Sequence, residues 1–131
     1  MTPEGLVVCP SRHGPKETMD RLLAAVAERG MTIMARIDQA GAVAKAGVEL
    51  RPTEVVLFGN PKAAAPLMQA AQTIGIDLPL KALVWQDAEG RTWLGYNDPK
   101  WLAERHGLAA GMERTLGAMA DALAAIAKAA T

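Results

Sequence analysis

The sequence predicts an α+β two-layer sandwich, a mainly antiparallel sheet of about five strands with helices on one face, built as a single domain over residues 1–131. Three features carry that expectation. Lys81–Trp85 and Thr92–Tyr96 flank Asp87-Ala88-Glu89-Gly90, which has the length and turn chemistry of an antiparallel hairpin. Val55-Val56-Leu57-Phe58 reads as a buried strand that passes through Gly59-Asn60-Pro61 straight into a helix. Met112, Leu116, Met119, Leu123 and Ile126 fall on one stripe of a C-terminal helix, with Glu113, Arg114, Asp121 and Lys128 elsewhere, so that helix docks by one side.

The remaining elements follow from local signals. Leu6-Val7-Val8 is a short apolar run that opens the sheet, and Gly14-Pro15 separates it from a helix carrying Met19, Leu22, Leu23 and Val26 on one face. Glu17 lies in that helix's first turn and Gly30 follows its last. Ile33, Ala35 and Ile37 then alternate with Thr32, Met34 and Arg36, the period of a strand covered on one side and open on the other. From Asp38 to Gly47 the alanine-rich chain reads as a short irregular helix. The helix after the central strand runs from about Pro61 to Thr73, with Gly75 and Pro79 marking the connection into the hairpin. Asn97-Asp98-Pro99 opens a short helix with Trp101 and Leu102, and Gly107 closes it.

Composition removes several function classes. Fourteen basic and fourteen acidic side chains cancel, so the electropositive field that a phosphate backbone requires is absent and no nucleic acid is expected. Cys9 is the single cysteine and cannot close an internal disulfide; with no signal-peptide pattern at the N-terminus, the expected location is cytoplasmic. No apolar run approaches the roughly 18 residues of a membrane span, so no membrane is expected. Glycine-rich phosphate or dinucleotide fingerprints are missing, as are recognised Ser-His-Asp or Cys-His-Asn orders, and no cofactor is expected.

The strand-to-helix turn is the candidate site. Gly59 allows close backbone approach, Asn60 is a strong N-cap and Pro61 fits the first helical position. The amides of the following turn, with the helix dipole behind them and Lys62 nearby, suit an anion; the plain alternative is a helix cap and nothing more. Arg51, at the other end of a strand of about six residues and so roughly 20 Å away, does not share that pocket. Asp38 and Gln39 end the second strand. They lie beside the Asn60 turn in one strand arrangement and far from it in another, and Asp38 reads either as a carboxylate in a polar pocket or as the cap of the next helix.

Lys81 shares a face with Leu83 and Trp85, either partly desolvated or with its stem along the sheet edge and its ammonium in water. Tyr96 either presents its hydroxyl to a ligand or stands at the core edge. Cys9 and His13 make at most half a metal site, and no metal is expected. His106 before Gly107 reads as a cation at a helix C-terminus. Trp85, Trp93 and Trp101 belong to the core or an interface, where their N–H groups need partners.

Arg51-Pro52-Thr53-Glu54 leading into Phe58-Gly59-Asn60-Pro61-Lys62, then Pro66-Leu67-Met68, Ile76-Asp77-Leu78-Pro79-Leu80-Lys81 and Tyr96-Asn97-Asp98-Pro99, resemble the bacterial domain of unknown function family 302. The resemblance covers nearly the whole chain. It implies a small α/β domain with an antiparallel sheet, often a homodimer, and no established reaction. Family members often carry histidine after the aspartate at the position of Asp38, where this chain has Gln39. If that histidine serves other members as base or metal ligand, this chain has lost that role or never used it.

Three functions remain. The first is a homodimer binding a small polar or anionic ligand through Asp38, Gln39, Gly59, Asn60, Pro61, Lys62, Lys81 and Tyr96. The second is a structural or protein-interaction homodimer, pairing through the exposed strand face of Thr32, Met34 and Arg36 or through the C-terminal helix. The third is an enzyme of unknown reaction using Asp38, Lys81 or Tyr96 as acid or base.

Overall fold

A computed structural model describes residues 2–108 and 110–131. Its five strands form one antiparallel sheet in the order β1-β5-β4-β3-β2: β1 (Leu6–Ser11), β2 (Thr32–Asp38), β3 (Thr53–Gly59), β4 (Leu80–Gln86) and β5 (Thr92–Asn97). The helices are α1 (Pro15–Glu28), α2 (Gln39–Ala44), α3 (Pro61–Ala70), α4 (Pro99–Arg105) and α5 (Glu113–Ala130), with a 3-10 segment at Gln72–Ile76. The α+β fold expected from the sequence is the fold observed.

Alternation along each strand divides the sheet into a covered and an open face. On the covered face Val56, Phe58, Leu80, Ala82, Val84, Leu94 and Tyr96 pack with Met19, Leu22 and Val26 of α1 and Leu123, Ile126 and Ala127 of α5. Residues one step along in each strand, among them Val55, Leu57, Leu83, Trp85 and Trp93, point the other way and stay half-buried. A smaller core beside the first joins Leu67 of α3, Ile74, Leu102 and Ala103 of α4, and Leu116 of α5.

Two elements depart from the sequence reading. The helix expected to run to about Thr73 stops at Ala70, because Ala71 turns extended at φ −147°, and the chain re-enters as the 3-10 segment. The apolar alternation of β2 does not make one side covered. β2 is an edge strand with a register irregularity between Ile33 and Ala35, which aligns Ile33 with Phe58 and Ala35 with Leu57, so the two fall on opposite faces. Ile33, Met34 and Ile37 remain 39%, 46% and 41% exposed.

The hairpin turn is organised by Asp87. Its Oδ1 accepts from the amides of Glu89 (3.0 Å) and Arg91 (2.9 Å), and its Oδ2 accepts from the Trp93 indole N–H (2.8 Å), while Gly90 supplies φ +81°. The Trp93 bond, followed by the Arg91 amide, holds the Asp87 carboxyl below its ordinary pKa. A depressed folded-state pKa means the stabilisation is present above about pH 4 and is lost as pH falls through and below that value. Asp87→Asn is therefore expected to be less stable than the parent at neutral pH, with the gap in urea midpoint closing steadily as pH drops from about 5 toward 2. A gap independent of pH would assign the loss to shape rather than charge.

Candidate functional site

The handover from β3 to α3 is built as the sequence suggests. Asn60 caps α3, its Oδ1 accepting from the amides of Lys62 (3.1 Å) and Ala63 (3.4 Å), and Pro61 occupies the first turn. Such a cap contributes roughly 0.5–2 kcal/mol and also consumes the donors an anion would use. Ala64 N–H is taken as well, by Asn60 O at 3.0 Å. What the turn does provide is the wall of a cavity of about 230 Å³.

Gly59, Asn60 and Pro61 form one side of that cavity, and Leu78, Pro79 and Leu80 at the entry of β4 form another. Ala63 and Ala64 of α3 and four methionines complete the lining: Met31 just before β2, Met34 within it, Met68 of α3 and Met119 of α5. Gly59 packs close to the entry of β4: a Cβ there would meet Pro79 Cβ at 3.7 Å, an ordinary van der Waals contact. The walls are apolar almost throughout. Their residues belong to the rim of the main core, against which Met31, Leu78 and Met119 pack.

The other expected ligand residues do not gather there. β2 and β3 are antiparallel with Thr32 opposite Gly59 and Asp38 opposite Glu54, so Asp38 and Gln39 lie at the far end of the sheet, about 20 Å from Asn60 at ~3.3 Å per residue. Asp38 caps α2, its Oδ1 accepting from Gly41 N–H at 2.9 Å. Lys62 is exposed and outside the cavity lining. Lys81 lies on the open face opposite Leu57, its Nζ donating to the carbonyls of Asp77 and Pro79, both at 3.2 Å. Tyr96 lies on the covered face, 8% exposed, and burial followed by nearby Cys9 and Asp98 pushes its phenol pKa up. Asp38, Lys81 and Tyr96 thus occupy one end, one face and the opposite face of the sheet.

Sequence reasoning named the turn and missed the methionines. The signal was present in composition, seven methionines in 131 residues, but nothing local says that Met31, Met34, Met68 and Met119 converge. His106 is at the C-cap of α4, where a cation was expected, yet its side chain is only 8% exposed and both ring nitrogens are engaged, by Thr73 and Asp77. Cys9 faces the core from β1, and desolvation raises its pKa, which favours the unreactive thiol.

A family model described as "Domain of unknown function DUF302" matches residues 7–126. The chain belongs to the DUF302 family. A crystal structure of an uncharacterized conserved DUF302 protein from Bacillus stearothermophilus superposes with a TM-score of 0.86 over 98% of this chain and all of that one, at 20% identity, and so shares the fold. Among curated proteins, "Fluoride-specific ion channel FluC 1" of Brucella suis is 42% identical over 124 residues, 95% of this chain and 49% of that protein. FluC 1 of Brucella abortus and FluC 2 of Brucella melitensis match at the same 42%, each over 46% of its length. The DUF302 chain thus spans about half the length of the curated relatives it matches. Among its described residues no helix is long and apolar enough to cross a membrane.

Proposed function

We propose that this DUF302 chain is a ligand-binding domain that works as a homodimer, taking a small, largely apolar molecule in the methionine-lined cavity beside Gly59-Asn60-Pro61. The observation that carries the reading is the lining itself: thioether side chains, soft and adaptable, around a preformed hollow at the rim of the core. A polar or anionic ligand, the sequence-based expectation, is less well served, because the amides of Lys62 and Ala63 already bond Asn60. A polar group on the ligand has only Asn60 and the backbone groups of the lining to meet.

Thermal melting with indole, benzene, phosphate and acetate separates these ligand classes. At about 100 times Kd a ligand stabilises by about 2.7 kcal/mol, which for a chain of this size raises Tm by roughly 10 °C. Indole or benzene is expected to give such a shift and the anions none. Ala64→Leu, which places a larger side chain in the hollow, is expected to abolish the shift without lowering the melting temperature of the free protein. Equal insensitivity to every probe removes the ligand reading.

The open face of the sheet supports the dimer. Val55, Leu57, Leu83, Trp85 and Trp93 are apolar and only half-buried, and Trp85 and Trp93 sit directly opposite one another. A copy of the same face covers them symmetrically. Sedimentation is expected to show a dimer that Leu83→Lys converts to a folded monomer; a monomeric parent at high concentration removes this half of the proposal.

A second reading rests on the Brucella relatives. Proteins named fluoride channels carry a stretch 42% identical to this chain in about half their length. The chain would then serve as an extramembrane regulatory part of such a channel. A melting temperature that responds to sodium fluoride but not to equal sodium chloride supports it, and identical curves overturn it.

A further inference from the structure

Away from the methionine cavity, one group of side chains has the connectivity of a nucleophile, a base and an orienting carboxylate. Thr73 Oγ1 lies 2.9 Å from His106 Nδ1, and His106 Nε2 lies 2.5 Å from Asp77 Oδ2. The imidazole is 8% exposed and the Asp77 side chain 15%, whereas Thr73 is exposed. A carboxylate at Nε2 makes that nitrogen the N–H donor, which leaves the Nδ1 lone pair to accept from the threonine hydroxyl. Arg105 holds Asp77 from its outer side, one terminal nitrogen donating to both carboxylate oxygens at 2.9 and 2.8 Å. The carboxylate is thereby kept on the ring.

We propose that Thr73, His106 and Asp77 form an acyl-accepting site for small activated esters, with Thr73 Oγ1 as nucleophile, His106 Nδ1 as its base and Asp77 as the group that positions the ring. A purely mechanical fastening between the 3-10 segment and the end of α4 needs two buried partners; it does not need the chain of bonds to end on the hydroxyl of an exposed residue. Ile76 adds the substrate class. It lies three residues on in the same 3-10 segment, where side chains eclipse those three before, and it is 74% exposed, an apolar platform beside the hydroxyl for an acyl or aryl group.

The step balances without a co-reactant. Oγ1 attacks the ester carbonyl carbon as its proton passes to Nδ1, forming the Oγ1–C bond. Collapse breaks the bond to the leaving alcohol, which departs with the proton returned from Nδ1. The products are an acyl-threonine ester and the free alcohol, and Asp77 accepts from Nε2–H throughout.

The test uses the full chain and p-nitrophenyl acetate, with nitrophenolate release followed by absorbance and the acetyl group located by peptide mass spectrometry. A hydroxylamine-sensitive acetyl ester on Thr73 is expected, retained in Thr73→Ser and absent in Thr73→Ala. His106→Ala is expected to slow labelling of Thr73 by about 100-fold or more, the scale of a lost general base. Since that change also removes a buried ring from the end of α4, Asp77→Asn is the second variant: it keeps the side chain's shape, presents a donor to Nε2 and disturbs the tautomer. A comparable loss of Thr73 labelling with a melting temperature near the parent's supports the assignment. Acetylation confined to lysines, or equal Thr73 labelling in the parent and Asp77→Asn, overturns it.

Discussion

Phe58→Ala is expected to cost about 3–5 kcal/mol, a large share of the roughly 5–15 kcal/mol that holds a domain together. Phe58 is fully buried, at 0% exposure, and is the bulkiest of the side chains sealed in this core. It sits on the covered face one residue before Gly59, within the cluster that includes Leu80 and is packed by Met31, Leu78 and Met119. Truncation removes transfer energy and leaves a void that a rigid sheet cannot collapse around. The urea midpoint should fall with little change in slope. Leu57→Ala, one residue earlier on the half-buried open face, should cost less than half as much at protein concentrations low enough to keep the chain monomeric. Similar losses at both positions in the monomer would mean that the open face is packed within one chain as tightly as the other. Because Leu80, Met31 and Met119 also line the cavity, Phe58→Ala is expected to weaken the binding proposed for it as well.

The elements with strong local chemistry were legible in the sequence. Asp87 and Gly90 specify the hairpin because one needs a side-chain acceptor and the other a positive φ. Asn60-Pro61 and Asp98-Pro99 specify helix starts because a cap and a missing N–H have one good use each. Pairing between distant strands was not legible. Nothing local tells β2 to lie at an edge beside β3, and it is that antiparallel pairing that sends Asp38 to the opposite end of the sheet from Asn60. The site divides the same way. The Gly59 turn announces itself, while a cavity assembled from Met31, Met34, Met68 and Met119 depends on tertiary packing that brings β2, α3 and α5 together. Methionine at helical or strand spacing reads as core or interface, and the patterns that contain Met34 and Met119 carry no sign that the two share a cavity.

His106 shows a related limit. Its place at the end of α4 follows from Gly107, and a cation there is reasonable helix chemistry. That the ring is buried between Thr73 and Asp77 depends on the break after Ala70, which turns the following residues into a 3-10 segment and carries them to α4.

Gly5→Ala is the second change with a large expected effect, about 2–4 kcal/mol, although it adds one methyl group. Gly5 has φ +81°, a conformation that costs an L-residue roughly 1–2 kcal/mol. Its missing side chain also makes room for an aromatic ring, since a Cβ at Gly5 would overlap the Trp101 indole where its two rings join. The ring is fused and cannot fold away as a flexible chain end would, so either Trp101 leaves the small core it shares with Leu102 or the turn before β1 opens. Opening the turn breaks the bond from Asp98 N–H to Gly5 O, at 2.8 Å, and Asp98 is the residue that caps α4. The damage therefore reaches the helix that ends at His106. Gly30→Ala provides the comparison, because Gly30 has φ +72° but open space around its Cβ position, and it should show the backbone cost alone. Urea denaturation followed by tryptophan fluorescence measures both. If the two substitutions cost the same, Trp101 does not need the space above Gly5 and the link from that turn to α4 is broken.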